Sequence, residues 1–127
     1  MKALSAVLLA LCLTSLAFAQ NRPFLSKAEV EALASGKVWS FPIQTGIWVG
    51  ETMQWTLEAG GYLRAVAIAH PYAPDKGTWL VNEKAQLCVK FVGSFTDRCV
   101  AVLKDDGKLT MVDSNNMDGV FADLSVR

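Results

Sequence analysis

Apolar and polar side chains alternate with a period of two through most of the chain, in short runs separated by turn residues. Met53, Trp55 and Leu57, for example, are each followed by a polar residue. Such alternation is typical of a strand with one buried and one wet face. The pattern predicts eight strands, at Val38–Ile43, Met53–Leu57, Tyr62–Ala69, Gly77–Val81, Gln86–Val92, Arg98–Lys104, Leu109–Val112 and Val120–Val126.

A short helix is predicted before the first strand, from Ser26 to Ser35. Ser26 has the position of an N-cap, and Glu29, three residues later, completes a capping box. Gly36 suits the left-handed conformation in which many helices end.

Eight short strands with turn signals about every 8 to 12 residues favour a small antiparallel β-barrel or sandwich. A parallel sheet would need helical segments between the strands, and the sequence has none there. Pro42 lacks an N–H group, which predicts that the first strand lies at an edge or carries a bulge. We therefore expect one mainly β domain from Gln20 to Arg127, with a polar loop at Asp113–Gly119.

Residues 1–19 have the pattern of a secretory signal peptide. A single lysine precedes an apolar run from Ala3 to Leu16, and Ala17-Phe18-Ala19 matches an A-x-A cleavage site. The run is shorter than the roughly 20 apolar residues of a membrane span. Cys12 lies in a segment that resembles a lipoprotein signal, but Leu11 stands where such signals have a small residue. We therefore expect a periplasmic or secreted protein that is not inserted in the membrane after cleavage.

Charge argues against two classes of partner. Without Lys2 the chain has 11 basic and 12 acidic residues, a formal net charge of −1. Proteins that bind nucleic acid or anionic membrane surfaces usually present an excess of basic residues. We therefore expect no nucleic acid partner.

Cys88 and Cys99 are the two cysteines that remain after cleavage, and in an exported protein an even number predicts a disulfide. A two-residue turn at Gly93-Ser94 would place Cys88 opposite Cys99 and Lys90 opposite Asp97. That register makes the cysteines a hydrogen-bonded pair with Cα atoms about 5.5 Å apart, so a bulge or a longer loop stays open as an alternative. The disulfide should stabilise the fold by about 3 kcal/mol.

The residue types of metal and catalytic sites occur without the spacing those sites need. A structural zinc takes four ligands, usually with close cysteine pairs, whereas this chain has one histidine, His70. No serine elbow or glycine-rich phosphate loop is present. Glu51, Glu58 and Asp75 are the least easily explained acids, yet each suits a solvated strand or turn. We therefore predict no catalytic residue, no metal and no cofactor.

The chain has four tryptophans, which we expect mostly in the core because aromatic side chains bury large areas. A subset could line a pocket at a barrel mouth, next to a face of small residues at Ala65, Ala67 and Ala69. The candidate ligand contacts are Trp48, Trp55, Tyr62, His70, Tyr72 and Trp79.

Several short motifs carry a resemblance: "LSKAEVEALASGK" at 25–37, "LEAGGYLRA" at 57–65, Gly77-Thr78-Trp79, Leu87-Cys88 and Cys99. Together they resemble small exported proteobacterial domains of unknown function. The resemblance implies a β-rich fold and export, and it implies no reaction. Gly46-Ile47-Trp48 also looks like the G-x-W of lipocalins, which is an analogy of architecture.

Two functions remain as hypotheses. The first is a non-catalytic binding module that holds an apolar or amphipathic small molecule in a barrel mouth. The alternative is a protein-interaction role, such as an inhibitor or immunity factor for a secreted enzyme, through the predicted loop His70–Lys76 or the tip Gly93-Ser94.

Overall fold

The computed structural model describes residues 24–113 and 121–127, in which eight antiparallel strands close into a barrel. Each strand pairs with the next along the chain, and β8 pairs with β1. The elements are helix α1 (Lys27–Ala34) and strands β1 (Lys37–Pro42), β2 (Thr52–Leu57), β3 (Tyr62–Ala67), β4 (Asp75–Val81), β5 (Leu87–Phe91), β6 (Arg98–Asp105), β7 (Lys108–Asp113) and β8 (Phe121–Val126). The predicted mainly β fold with one preceding helix is confirmed, and of its two forms the barrel is observed. The predicted signal peptide with Cys12, and the predicted loop after Asp113, lie outside the described residues.

The core fills the inside of the barrel with every second residue of each strand. On β2, Trp55 and Leu57 are buried, whereas Gln54 and Thr56, which alternate with them, are half-buried. The predicted period of two is confirmed. An eight-stranded barrel has an interior that side chains can fill or that can hold one small ligand, so the packing at its two ends decides which applies.

Helix α1 begins and ends as its sequence predicts. The Glu29 N–H donates to Ser26 Oγ at 3.2 Å, and the Ser26 N–H donates to Glu29 Oε1 at 3.1 Å, which completes the capping box. Gly36 has a φ of +74°, in the left-handed region that favours glycine. Val30 and Ala34 are fully buried against the barrel.

Pro42 is the last residue of β1. The prediction that this proline marks an edge strand is wrong, because in the closed barrel β1 pairs on both sides. The Ile43 N–H donates to the Glu51 carbonyl across the β1–β2 ladder, so the nitrogen of Pro42 faces the β8 side. Among the described residues, β8 pairs with β1 only at Trp39 and Ser40. The missing N–H of Pro42 therefore removes no hydrogen bond from the described ladder.

The predicted disulfide is present between Cys88 and Cys99, which are partners across β5 and β6. The predicted pairing of Cys88 with Cys99 is confirmed. Their Cα atoms are 4.0 Å apart, close to the spacing of a non-hydrogen-bonded pair, so the prediction that they form a hydrogen-bonded pair is wrong. Leu87 and Val89 point into the core, which places the cysteines on the outer face of the barrel. The disulfide joins two strands that pair over three positions only.

The predicted two-residue turn at Gly93-Ser94 is wrong, and the β5–β6 ladder ends at Val89 with Arg98, one position before the predicted pair of Lys90 with Asp97. β5 ends at Phe91 and β6 begins at Arg98, so a longer loop, 92–97, joins them. Asp97 turns back within this loop, and its Oδ1 accepts a hydrogen bond from the Phe91 N–H at 2.7 Å. The alternative of a longer loop is therefore the one observed.

Candidate functional site

One end of the barrel is closed by helix α1. The Trp39 indole N–H donates to the Leu33 carbonyl of the helix at 2.9 Å. Lys27, on the same helix, forms an ion pair of 2.7 Å with Glu83 in the β4–β5 turn. In an up-and-down barrel, alternate connections lie at the same end, so the β1–β2, β3–β4 and β5–β6 loops surround the opposite end.

The opposite end opens into a cavity of about 360 Å³. Much of its inner wall consists of aromatic and thioether side chains, contributed by Phe41, Met53, Trp55, Phe91, Phe95 and Met111. The polar residues Gln44, Thr45, Ser94 and Thr96 line it from the β1–β2 and β5–β6 loops. The rings touch in edge-to-face geometry, with centroids 4.7 Å apart for Phe41 and Trp55 and 5.5 Å apart for Phe91 and Phe95. A concave, mainly apolar site of this size is typical of small-molecule binding.

Small residues next to the large ones shape this wall. Trp55 is paired with Ala65 and Met53 with Ala67 across β2 and β3, and both alanines are buried. The alanines therefore make room for the tryptophan and the methionine and do not line the cavity. Ala69, the third member of the predicted small-residue face, lies beyond β3 and is exposed.

Arg98 and Asp113 supply the charge at the cavity. Arg98 Nη1 lies 2.7 Å from Asp113 Oδ2, and both side chains are partly buried. Among the described residues they are the ionisable side chains in the cavity lining. Ionised pairs form stronger hydrogen bonds than neutral groups do when water is partly excluded, so this pair is a fixed charged feature of a mainly apolar wall.

The β1–β2 loop forms one side of the cavity, and His70, which does not line the cavity, contacts this loop. The imidazole stacks on Trp48 with ring centroids 4.1 Å apart and planes 10° apart. Its Nε2 lies 2.7 Å from Glu51 Oε2, and both atoms are buried. Its Nδ1 lies 3.0 Å from the Tyr72 hydroxyl. These contacts connect the β1–β2 loop, which carries Trp48, to the β3–β4 loop, which carries His70 and Tyr72.

The β5–β6 loop is held by the carboxylate of Asp75, at the start of β4. Oδ1 accepts from the Lys76 and Gly93 N–H groups at 2.7 and 2.9 Å, and Oδ2 accepts from the Phe95 N–H at 3.0 Å. Desolvation acts to raise the pKa of the Asp75 carboxyl, but the hydrogen bonds from Phe95, Lys76 and Gly93 together lower it below its ordinary value. This carboxylate positions Phe95 in the cavity wall.

Gly93 permits the close approach of Asp75. A Cβ atom at position 93 would lie 2.7 Å from Asp75 Oδ1. A side chain there would therefore push the carboxylate away from the N–H groups it binds. Gly93-Ser94 predicts a two-residue turn from the sequence. In the structure, Gly93 instead leaves room for the carboxylate of Asp75, which is 18 residues earlier in the chain.

The six predicted ligand contacts fall into three groups. Trp48 and Trp55 line the cavity. His70 stacks on Trp48, and Tyr72 contacts His70; neither of these two lines the cavity. Tyr62 and Trp79 lie near the β2–β3 turn at the other end of the barrel, where the Trp79 indole N–H donates to the Glu58 carbonyl at 2.8 Å.

Sequence reasoning missed Phe91, Phe95 and Arg98 as members of the site. Phe91 and Arg98 follow the inward alternation of β5 and β6, which could have placed them on the inner face. Phe95 had no such signal, because its place depends on Asp75. Gly46-Ile47-Trp48 lies in the β1–β2 loop at the rim.

In the described part of the chain, no three histidine, cysteine or acidic side chains are grouped as a metal site requires. Residues 24–113 and 121–127 also contain no helix with the length and apolar content of a membrane span. Comparison with family models, curated proteins and solved structures finds no match. The resemblance to exported domains of unknown function therefore stays a prediction, and the site must be interpreted from its own chemistry.

Proposed function

We propose that this protein is an exported, non-catalytic binding module that holds a small apolar or amphipathic molecule in the open end of its barrel. The observation that carries the proposal is the cavity of about 360 Å³ with its aromatic and methionine wall. Helix α1 closes one end, whereas the other end is left open between loops that specific side-chain contacts hold in place. Such a preformed apolar cleft binds ligand at little cost in ordering the protein.

Binding can be tested with the apolar dye N-phenyl-1-naphthylamine, whose emission rises when it leaves water. Phe95→Asp places a charge in the cavity wall and should weaken dye binding at least tenfold, because an unpaired charge is costly near apolar surface. Val92→Asp is the matched control, since Val92 is on the same loop but is 74% exposed. Circular dichroism establishes that both variants fold. Absence of dye binding by the wild type, or equal binding by both variants, would refute the proposal.

Export is part of the proposal and is supported by two features. The first 19 residues have the pattern of a signal peptide, and disulfides such as Cys88–Cys99 persist mainly in oxidising compartments outside the cytosol. Cell fractionation with N-terminal sequencing tests it. We expect a protein that begins at Gln20 in the periplasm or the medium; an uncleaved cytosolic chain would contradict this.

A second candidate is the protein-interaction role, for which the rim of the open end provides a specific observation. Large apolar side chains are exposed on all three described rim loops: Ile47, Val49, Ile68, Tyr72 and Val92. A cluster of this kind is typical of a surface that contacts another protein. The partner would be an envelope or secreted protein, for example an enzyme that this domain inhibits.

Photo-crosslinking tests this role at a single position. A crosslinker at Tyr72, on the rim, should capture one protein in stoichiometric amount, and the isolated partner should bind the purified domain. The control position is Leu80, which is 58% exposed on the outer wall. Equal capture from both positions would show that the rim is not a specific interface.

A further inference from the structure

Apolar side chains cover the inner face of the barrel up to its open end, where an ion pair between Arg98 and Asp113 lies instead. Arg98 is the partner of Val89 across β5 and β6, and Asp113 is the partner of Val100 across β6 and β7. Both valines are almost fully buried inside the barrel. Because directly opposite residues share a face of the sheet, Arg98 and Asp113 belong to the inner face at the mouth.

Of these two residues, Arg98 is the one that a ligand can reach more easily. Its side chain is 26% exposed, against 16% for Asp113. A guanidinium has five N–H donors, and the hydrogen bond to Asp113 uses one of them. Asp113 fixes the orientation of the guanidinium, which leaves its remaining donors as a planar fork at the edge of an apolar cavity.

We infer that the ligand is an amphiphile with a carboxylate head that binds Arg98 and an apolar body that fills the cavity. This inference rests on the proposed function. A volume of about 360 Å³ corresponds to about a dozen waters at roughly 30 Å³ each. The ligand therefore has on the order of a dozen non-hydrogen atoms, most of them carbon.

The ion pair favours an anionic head over a cationic one. A carboxylate can accept hydrogen bonds from the free donors of Arg98 while the contact to Asp113 persists. An ammonium group would have to replace Arg98 at Asp113 and would leave a partly buried guanidinium without its partner, which is costly. A neutral hydroxyl would gain a weaker hydrogen bond than a carboxylate.

Three probes with the same ten-carbon chain separate these cases: decanoate, decanol and decylamine. Their dissociation constants are measured by titration calorimetry at pH 7 and below the concentration at which the probes aggregate. We expect decanoate to bind about ten to one hundred times more tightly than decanol, as a charge-assisted hydrogen bond does relative to a neutral one. Decylamine should bind most weakly.

Arg98→Met tests the residue itself, because methionine keeps much of the apolar length and removes the charge. It should retain decanol binding within about threefold and lose the preference for decanoate. Arg64→Met is the matched control, since Arg64 is 72% exposed on the outer face of β3. If Arg98→Met fails to fold, Arg98→Lys keeps the charge without the planar fork, and the preference for decanoate should fall at least threefold.

The outcomes separate the inference from the proposed function. If no probe binds, the proposed function fails. If decanoate and decanol bind equally, or decylamine binds most tightly, the cavity remains a binding site and the assignment of Arg98 to a carboxylate is overturned. An unchanged preference for decanoate in Arg98→Met or in Arg98→Lys overturns it as well.

Discussion

Replacing Asp75 with asparagine should loosen the β5–β6 loop and with it one wall of the cavity. The carboxylate accepts three backbone N–H groups, from Lys76 and Gly93 on one oxygen and from Phe95 on the other. Asparagine keeps a single acceptor oxygen. Its NH₂ group would then face an N–H donor, so at least one of these hydrogen bonds is lost and the others lose their charge assistance.

The expected loss of stability in Asp75→Asn follows from the number and type of hydrogen bonds to this side chain. A hydrogen bond to a charged group contributes about 1.5–3 kcal/mol and a neutral one about 1 kcal/mol. Water can reach this loop and replace part of the lost bonding. We therefore expect Asp75→Asn to lower the free energy of unfolding by about 2 kcal/mol, which is a shift of about 1 M in the urea midpoint of a domain this size.

The pH dependence gives a second readout with a definite sign. The pKa of the Asp75 carboxyl is lowered in the folded protein, so its contribution is fully present above the ordinary value of about 3.9 and is lost as pH falls through the folded pKa. The stability difference between wild type and Asp75→Asn should be constant between pH 7 and pH 5. It should shrink as the pH is lowered below about 4.

The assay is urea unfolding followed by circular dichroism at pH 7, pH 5 and pH 3. Asp123→Asn is the control, because Asp123 makes an exposed ion pair with Lys108 and should change stability by less than about 0.5 kcal/mol. A cost for Asp75→Asn no larger than that of the control, or a cost that is the same at pH 3 and pH 7, would refute the role assigned to this carboxylate.

Three further experiments test other parts of the structure. Replacing both Cys88 and Cys99 with alanine should lower the free energy of unfolding by about 3 kcal/mol, and thiol titration of the oxidised wild type should find no free sulfhydryl at these positions; two free thiols would contradict the disulfide. Leu57→Ala, at a fully buried core position, should lower the free energy of unfolding by about 3 kcal/mol, whereas Leu80→Ala, at a position that is 58% exposed, should lower it by less than about 1 kcal/mol. Thermal or urea unfolding measures both, and similar losses would show that the core is misassigned. His70→Ala removes the ring that stacks on Trp48 and leaves the buried Oε2 of Glu51 without its neighbour, so it should lower the free energy of unfolding by about 1–2 kcal/mol and increase acrylamide quenching of tryptophan emission. Unchanged quenching would argue that this contact does not hold the β1–β2 loop.

Much of the β structure is predictable because its signals are local. The alternation of Met53, Trp55 and Leu57 requires a strand with one buried face, whatever its neighbours are. Ser26 and Glu29 satisfy the N–H groups of the helix start within one turn of chain. The eight strands and the helix could therefore be placed to within a few residues.

The candidate site could be predicted only in part. Trp48 and Trp55 were expected at a ligand site and do line the cavity. Trp79 has the same residue type, but its indole donates to a carbonyl near the β2–β3 turn, away from the mouth. Residue type alone does not distinguish these cases, because the end of the barrel at which a tryptophan lies depends on where in its strand it falls.

The sequence by itself determined the strands, the helix caps and the partner of each cysteine, since each rests on spacing along a short stretch of chain. Tertiary structure decided that the strands close into a barrel, that the loop after β5 follows the carboxylate of Asp75, and that Arg98 meets Asp113 at the mouth. The physical reason is the range of the interactions: hydrogen bonds and ion pairs between residues 15 or more positions apart form only after the sheet has brought their strands together.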